Sequence, residues 1–217
     1  MTDILDEISE EIRKENFSGL VKKYGKSLGL IVFLILLAVA VYVAQGNYRR
    51  SLKEKAVSEY LNAVNLLGNN STNQGIVALS DIIARAPHPV KDMAALRAAA
   101  YQLEHGKRPE ALDIYSKLST DSAADGTFRN LATILLAKNI VGNQAEEKKY
   151  DIKNRLEAAS NPEAPFRASV YEMLALIGIE NNDSENARKY LLLISTNPAA
   201  AEWSKKRAEA LLAGYEK

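Results

Sequence analysis

Cysteine is absent from this chain of 217 residues, and histidine occurs only twice. Without Cys there can be no disulfide framework, no zinc site built on thiolates and no Cys nucleophile. The two histidines, His88 and His105, stand far apart and carry no motif around them. A zinc site or a catalytic site built on His is therefore not expected.

An excess of charge of either sign is also missing. The chain has 28 basic and 27 acidic residues, which leaves a formal net charge of +1. No net field attracts nucleic acid, so we expect no nucleic-acid partner. With 11 Gly and 6 Pro, the chain is poor in the residues that build loop-rich barrels. The composition favours a helical protein.

Against this background one apolar segment stands out. Residues 27–48 carry no charge, and residues 28–44 are almost entirely apolar. About 20 helical residues cross the hydrocarbon core of a bilayer. The sequence therefore predicts a tail over 1–26, a transmembrane anchor over 27–47 and a helical domain over 48–217. The apolar side chains proposed to carry the anchor include Leu28, Ile31, Phe33, Leu36 and Val41.

Two other interpretations of the apolar segment are a buried core helix and the core of a cleaved signal peptide. Ala38-Val39-Ala40 has the small-x-small form of a cleavage site. The long, acidic segment ahead of it favours an uncleaved anchor. Basic residues are slightly more numerous before the apolar segment than after it, which weakly favours a tail on the inner side.

The rest of the chain alternates helical patterns with short breaks rich in Gly, Pro and Asn. Two segments repeat the small-large spacing of a tetratricopeptide unit, with Ala111-x3-Tyr115 and Ala187-x3-Leu191 lying 76 residues apart. The segment 143–160 departs from the spacing. The predicted fold class is all-α, with a single N-terminal transmembrane helix followed by a tetratricopeptide-like α-solenoid. A generic helical bundle is the alternative.

Two short segments carry a resemblance to a known family. Residues 23–26 read KYGK ahead of the apolar segment, and residues 56–64 read AVSEYLNAV after it. With the repeat-like pairs that follow, the chain resembles the bacterial YfgM-like family, an ancillary subunit of the Sec translocon. The resemblance implies a single-pass protein of the bacterial inner membrane, with a cytoplasmic N-terminus and a periplasmic repeat domain. It implies as partners the translocon channel, a membrane-anchored periplasmic chaperone with a prolyl-isomerase-like domain, and exported client proteins.

No motif of an enzyme is present, so we expect no catalytic activity, no cofactor and no metal. There is no nucleophile elbow, no phosphate-binding loop and no zinc-binding HExxH. Glu146-Glu147 and Asp183-x-Glu185 are interpreted as solvated helix ends. His88 is assigned to a turn and His105 to the end of a helix, where a cation complements the helix dipole.

Because no catalytic motif is present, the candidate functional feature is a binding surface. In a tetratricopeptide superhelix the first helix of each pair lines the concave face. This register predicts a mostly apolar groove that includes Met93, Leu96, Leu103, Arg129, Leu136, Leu176 and Ile179. Such a groove would suit unfolded segments or a partner helix, and the expected function is chaperone-like binding of exported proteins.

Other interpretations of this surface stay open. The terminal helix over 199–213 could cover the groove, or the same side chains could be core. Other functions in view are an organellar import receptor, which would need an acidic groove, and a generic envelope scaffold.

Overall fold

The computed structural model describes the backbone of residues 2–68, 72–161 and 164–214. It describes the side chains of residues 30–31, 33–68, 73–161 and 164–214. Every regular element in these ranges is an α-helix, which confirms the all-α expectation there. The helices are α1 (Thr2–Gly68), α2 (Thr72–Arg85), α3 (Val90–Glu104), α4 (Arg108–Thr120), α5 (Gly126–Ile140), α6 (Gln144–Lys149), α7 (Ile152–Ala158), α8 (Arg167–Glu180), α9 (Ser184–Ser195) and α10 (Glu202–Leu212).

Apart from the break between α6 and α7, the helices end near the breaks that the sequence pattern predicts. Gly106 adopts φ +73° after α3, a conformation that Gly reaches without strain. The carboxylate of Asp125 accepts a hydrogen bond from the backbone N–H of Thr127 at 2.8 Å, which caps the start of α5. Asp183 caps α9 in the same way through Asn186. Local turn and cap chemistry therefore sets the boundaries.

The first of two compact units comprises Met1–Leu52, of which residues 2–52 belong to α1. The predicted transmembrane anchor at 27–47 is not supported, because no helix in the described ranges is long and apolar enough to cross a membrane. A crossing helix needs about 20 consecutive apolar residues, and the described side chains of α1 are apolar from Leu30 to Ala44 before Gln45.

The side chains proposed for the anchor are exposed where they are described. Ile31, Phe33, Leu36 and Val41 have 53–62% of their surface accessible. The side chain of Leu28, like those of the predicted tail over 1–26, lies outside the described residues.

The second unit comprises Lys53–Lys217 and contains the buried apolar clusters. Helix pairs build it, and α3 packs on α4 as α8 packs on α9. Small residues stand at the crossings, where Ala99 and Ala111 in one pair and Ala187 in the other are fully buried. The helix-pair arrangement agrees with the predicted spacing, while the assignment to tetratricopeptide-like repeats stays a prediction.

The segment that departs from the repeat spacing is broken in the structure. It forms two short helices, α6 and α7, separated by Asp151 in the left-handed region at φ 49°. The guanidinium of Arg108 forms a bidentate salt bridge with Glu146 and donates to the carbonyl oxygen of Asn139 at 2.7 Å. The guanidinium of Arg155 in α7 donates hydrogen bonds to α4. Polar contacts thus hold this irregular segment to the regular helices.

The terminal helix α10 packs against α9 and covers the end of the last pair. Ala208 is buried with Leu191 and Ile194 of α9. Arg207 also pairs with Glu172 of α8. Trp203 of the same helix is 60% exposed.

Candidate functional site

The residues predicted to line one concave groove lie in several different environments. Leu136 is fully buried, so it belongs to the core and cannot line a groove. Leu96, Leu103 and Leu176 are partly buried and pack on the largest apolar cluster.

The remaining residues that were predicted to line the groove do not form an apolar face. Met93 is 39% exposed, whereas Ile179 is partly buried. Arg129 donates to the carbonyl oxygens of Ser122 and Ala124 at 3.3 and 3.2 Å, and so holds the loop before α5. Leu136 packs in the largest apolar cluster, and the groove as a whole stays a prediction.

The structure places a cleft on a different face of α3. The cleft lies between α2, α3 and α4 and has a volume of about 390 Å³. Its apolar lining consists of Ile76, Ile83, Ala95, Ala98, Ile114 and Leu118. Its polar lining consists of Ser80, Lys91, Asp92, Gln102, Lys117 and Asp121.

Residue spacing on α3 explains how the cleft forms. Asp92, Ala95, Ala98 and Gln102 are three or four residues apart and therefore lie along one face of the helix. Two of these side chains are single methyl groups, which leave room between the longer side chains of α2 and α4. The cleft therefore runs along α3 with small residues at its base.

One end of the cleft holds a fully buried carboxylate. Asp92 has no accessible surface, and its Oδ1 lies within hydrogen-bond distance of Nδ1 of His88, at 2.7 Å. Its second oxygen, Oδ2, has no hydrogen-bond partner among the described residues. A buried acceptor without a donor is costly, so Oδ2 is the least satisfied polar atom of this end.

A second carboxylate lies beside this pair. Oδ2 of Asp121 is 3.9 Å from Nε2 of His88 and 3.8 Å from Nζ of Lys91. The backbone N–H of Ala123 donates to Asp121, and this bond is the main cause that holds the pKa of Asp121 below its usual value. Lys91 and His88 lower the pKa of this carboxyl further, and it is ionised at neutral pH.

The far end of the cleft presents another acceptor. Oε1 of Gln102 is buried and has no partner in the described part of the chain. Gln102 follows Asp92 by ten residues, which corresponds to about 15 Å along the helix axis. The cleft is thus an aliphatic channel with one unsatisfied acceptor near each end.

Comparison with known proteins adds a family. The family model described as "Protein of unknown function (DUF2659)" matches residues 1–215. The chain belongs to this DUF2659 family. No curated protein and no solved structure matches the chain significantly. The resemblance to the YfgM-like family, and the partners it implies, stay predictions.

A smaller cleft of this DUF2659 protein occupies the equivalent place in the last helix pair. It lies between α7, α8 and α9 and has a volume of about 230 Å³. Three residues of the first cleft have a counterpart 76 residues later that lines the second cleft. The pairs, with the residue of the first cleft given first, are Ala98 and Leu174, Gln102 and Gly178, and Ile114 and Tyr190. Larger side chains at two of the three positions fill the second cleft.

Sequence reasoning missed the polar residues of the first cleft. It assigned His88 to a turn and did not single out Asp92, which His88 contacts. His105 does close a helix end, since its Nδ1 lies 2.9 Å from the carbonyl oxygen of Tyr101. The available signal was an isolated Asp in an alanine-rich helix, four residues after a His. The described residues contain no group of three or more His, Asp or Glu that could hold a metal ion.

Glu147, which was interpreted as part of a solvated helix end, has a structural contact instead. Glu147 is 9% exposed and accepts a hydrogen bond from the backbone N–H of Gly142 at 3.0 Å. Nearby Glu180 has a raised pKa, caused first by desolvation and then by the charge of Glu147. These groups join the turn after α5 to the end of α8 and lie outside the cleft.

Proposed function

We propose that this protein is a non-catalytic binding protein whose second unit holds a segment of another protein in the cleft between α2, α3 and α4. The observation that carries the proposal is the pair of buried, unsatisfied acceptors, on Asp92 and Gln102, in an aliphatic channel of about 390 Å³. Apolar walls favour the burial of apolar groups of a ligand. The unsatisfied acceptors favour binding of a ligand that supplies hydrogen-bond donors.

The length of the cleft favours a peptide segment as the ligand. The axial separation of Asp92 and Gln102 is about 15 Å, and an extended chain advances about 3.3 Å per residue. Four or five extended residues would therefore reach from one acceptor to the other. A peptide also supplies backbone N–H donors along its length.

The proposal is tested by selecting peptides from a random library displayed on phage against the immobilised full-length chain. Ser80 lies at the cleft and is exposed, so Ser80→Trp should obstruct it without disturbing the core. Ser58, exposed on α1 and away from the cleft, gives the matched control Ser58→Trp. We expect the wild type and the Ser58→Trp variant to enrich the same sequences, and the Ser80→Trp variant to lose them. Enrichment that survives Ser80→Trp, or no enrichment by the wild type, would contradict the proposal.

The wider role is proposed from the resemblance to the YfgM-like family. In that role the bound segments belong to newly exported proteins, and the protein works beside the Sec translocon and its associated periplasmic chaperone. Photocrosslinkers placed at Ser80 in living cells should then trap the channel, the chaperone or exported chains. The import-receptor alternative needs an acidic groove, whereas the lining of this cleft holds Asp92 and Asp121 together with Lys91 and Lys117.

A further inference from the structure

We infer that the cleft selects segments with a basic residue, whose ammonium or guanidinium group is bound at the Asp92 end. This inference rests on the proposed function and specifies its ligand: a Lys or Arg side chain of a bound protein segment. Its basis is the buried Oδ2 atom of Asp92, together with the lining around it.

The hydrogen bonding of Asp92 calls for a donor. Nδ1 of His88 forms a hydrogen bond with Oδ1, and nothing in the described ranges supplies a donor to Oδ2. A carboxylate that is removed from water is stable only when opposite charge and hydrogen bonds replace its hydration. A cationic donor provides both, and hydrogen bonds to charged groups are the stronger class.

The basic groups already present do not fill this role. Lys117 lines the cleft, but its Nζ lies 2.7 Å from the carboxylate of Asp113, which is not part of the lining. Nζ of Lys91 lies 3.8 Å from Oδ2 of Asp121. No Lys or Arg of the described residues forms a salt bridge with Asp92. Oδ2 of Asp92 therefore lacks a cationic partner from the described chain itself, which favours a cation from a ligand.

The remaining lining suits the stem of a basic side chain. Lys and Arg carry three or four methylene groups, which pack against apolar surface while the charged head binds elsewhere. Ile83, Ala95 and Leu118 supply such surface in the same cleft. Less than 1 Å² of Oδ2 is accessible, so the lining must move slightly to admit the head group.

The test uses the peptides enriched by the full-length wild type, made in matched forms. Each basic residue is replaced in turn by norleucine, which keeps the stem and removes the charge. We expect one such replacement to weaken binding by at least about tenfold, the usual effect of losing a charge-assisted hydrogen bond. Asp92→Asn should weaken the Lys or Arg form by a similar factor and leave the norleucine form nearly unchanged.

The control variant is Asp113→Asn, which also removes a carboxylate that lies near Lys117 but does not line the cleft. It should bind both peptide forms as the wild type does. If Asp92→Asn fails to fold by circular dichroism, the norleucine comparison on the wild type decides.

The outcomes separate the two proposals. Peptides that Ser80→Trp abolishes but that carry no required basic residue would overturn the inference and leave the proposed function standing. A basic peptide whose affinity is unchanged by Asp92→Asn would mean that Oδ2 is met by water only, and this too would overturn the inference. If the wild type enriches no peptide, both proposals fail.

Discussion

The crossing of α8 and α9 depends on the absence of a side chain at Gly178, and Gly178→Ala tests this. A Cβ atom at Gly178 would lie 2.9 Å from the backbone N, 3.1 Å from Cα and 3.2 Å from Cβ of Ala187. Two of these atoms are backbone, and Ala187 is fully buried, so neither helix can relieve the contact by rotating a side chain. The helices must separate.

The magnitude follows from two opposing effects. Overpacking in a close-packed core costs about 1–3 kcal/mol. Replacing Gly by Ala within a helix returns up to about 1 kcal/mol through helix propensity. We expect Gly178→Ala to lower the free energy of unfolding by about 1–2 kcal/mol, which corresponds to about 3–6 °C in Tm for a unit of this size.

The assay is urea and thermal unfolding of the full chain, followed by circular dichroism. Gly126→Ala is the matched control, because its Cβ would meet only a guanidinium nitrogen of Arg129, at 3.9 Å. That control should change stability by less than about 0.5 kcal/mol. If Gly178→Ala is as stable as the wild type or more stable, the close approach of α8 to α9 is wrong.

Three further predictions concern polar contacts. Glu180→Gln should be more stable than the wild type near neutral pH and equally stable in acid. The reason is that the pKa of Glu180 is raised in the folded protein, so wild-type stability falls as pH rises through that pKa. Unfolding in urea at about pH 3.5 and 7.5 checks this prediction. Arg155→Met should lose about 1–2 kcal/mol in the same assay, since the guanidinium donates to the Ser119 hydroxyl at 2.8 Å and to Ser116. Asp183→Ala should lower Tm by a few degrees at neutral pH, and the difference should vanish in acid. The pKa of the Asp183 carboxyl is lowered in the folded protein, so its contribution to stability is lost as pH falls through that pKa.

The helix-pair arrangement could be predicted because its signals are local. Gly, Pro and Asn clusters end helices through turn chemistry, and small residues such as Ala111 and Ala187 mark helix crossings. The break at Asp151 could not be predicted, because a non-Gly residue adopts φ 49° only when the surrounding structure holds it there. The transmembrane span was predicted from an uncharged apolar segment and from the family resemblance, and the described residues do not support it.

The candidate site was harder to predict because it depends on which face of α3 is left uncovered. Periodicity shows that Leu96 and Leu103 share a face, but an apolar face can become either a groove or an interface between helices. In the structure that face packs on the core. The open face holds alanines and a lone Asp92, a composition that does not distinguish a cleft from a close helix contact.

Side-chain size differs between the two clefts at the positions that line both of them. Both lie on equivalent helix pairs, and the three aligned positions that line them differ in residue type. In the first pair, Ala98 and Ile114 leave space that Leu174 and Tyr190 occupy in the last pair. Gly178 permits the close crossing with Ala187, whereas at the equivalent position of the first pair Gln102 brings a buried acceptor. The last pair is thus built for tight packing, and the first pair retains the space and the unsatisfied polar atoms that a ligand requires.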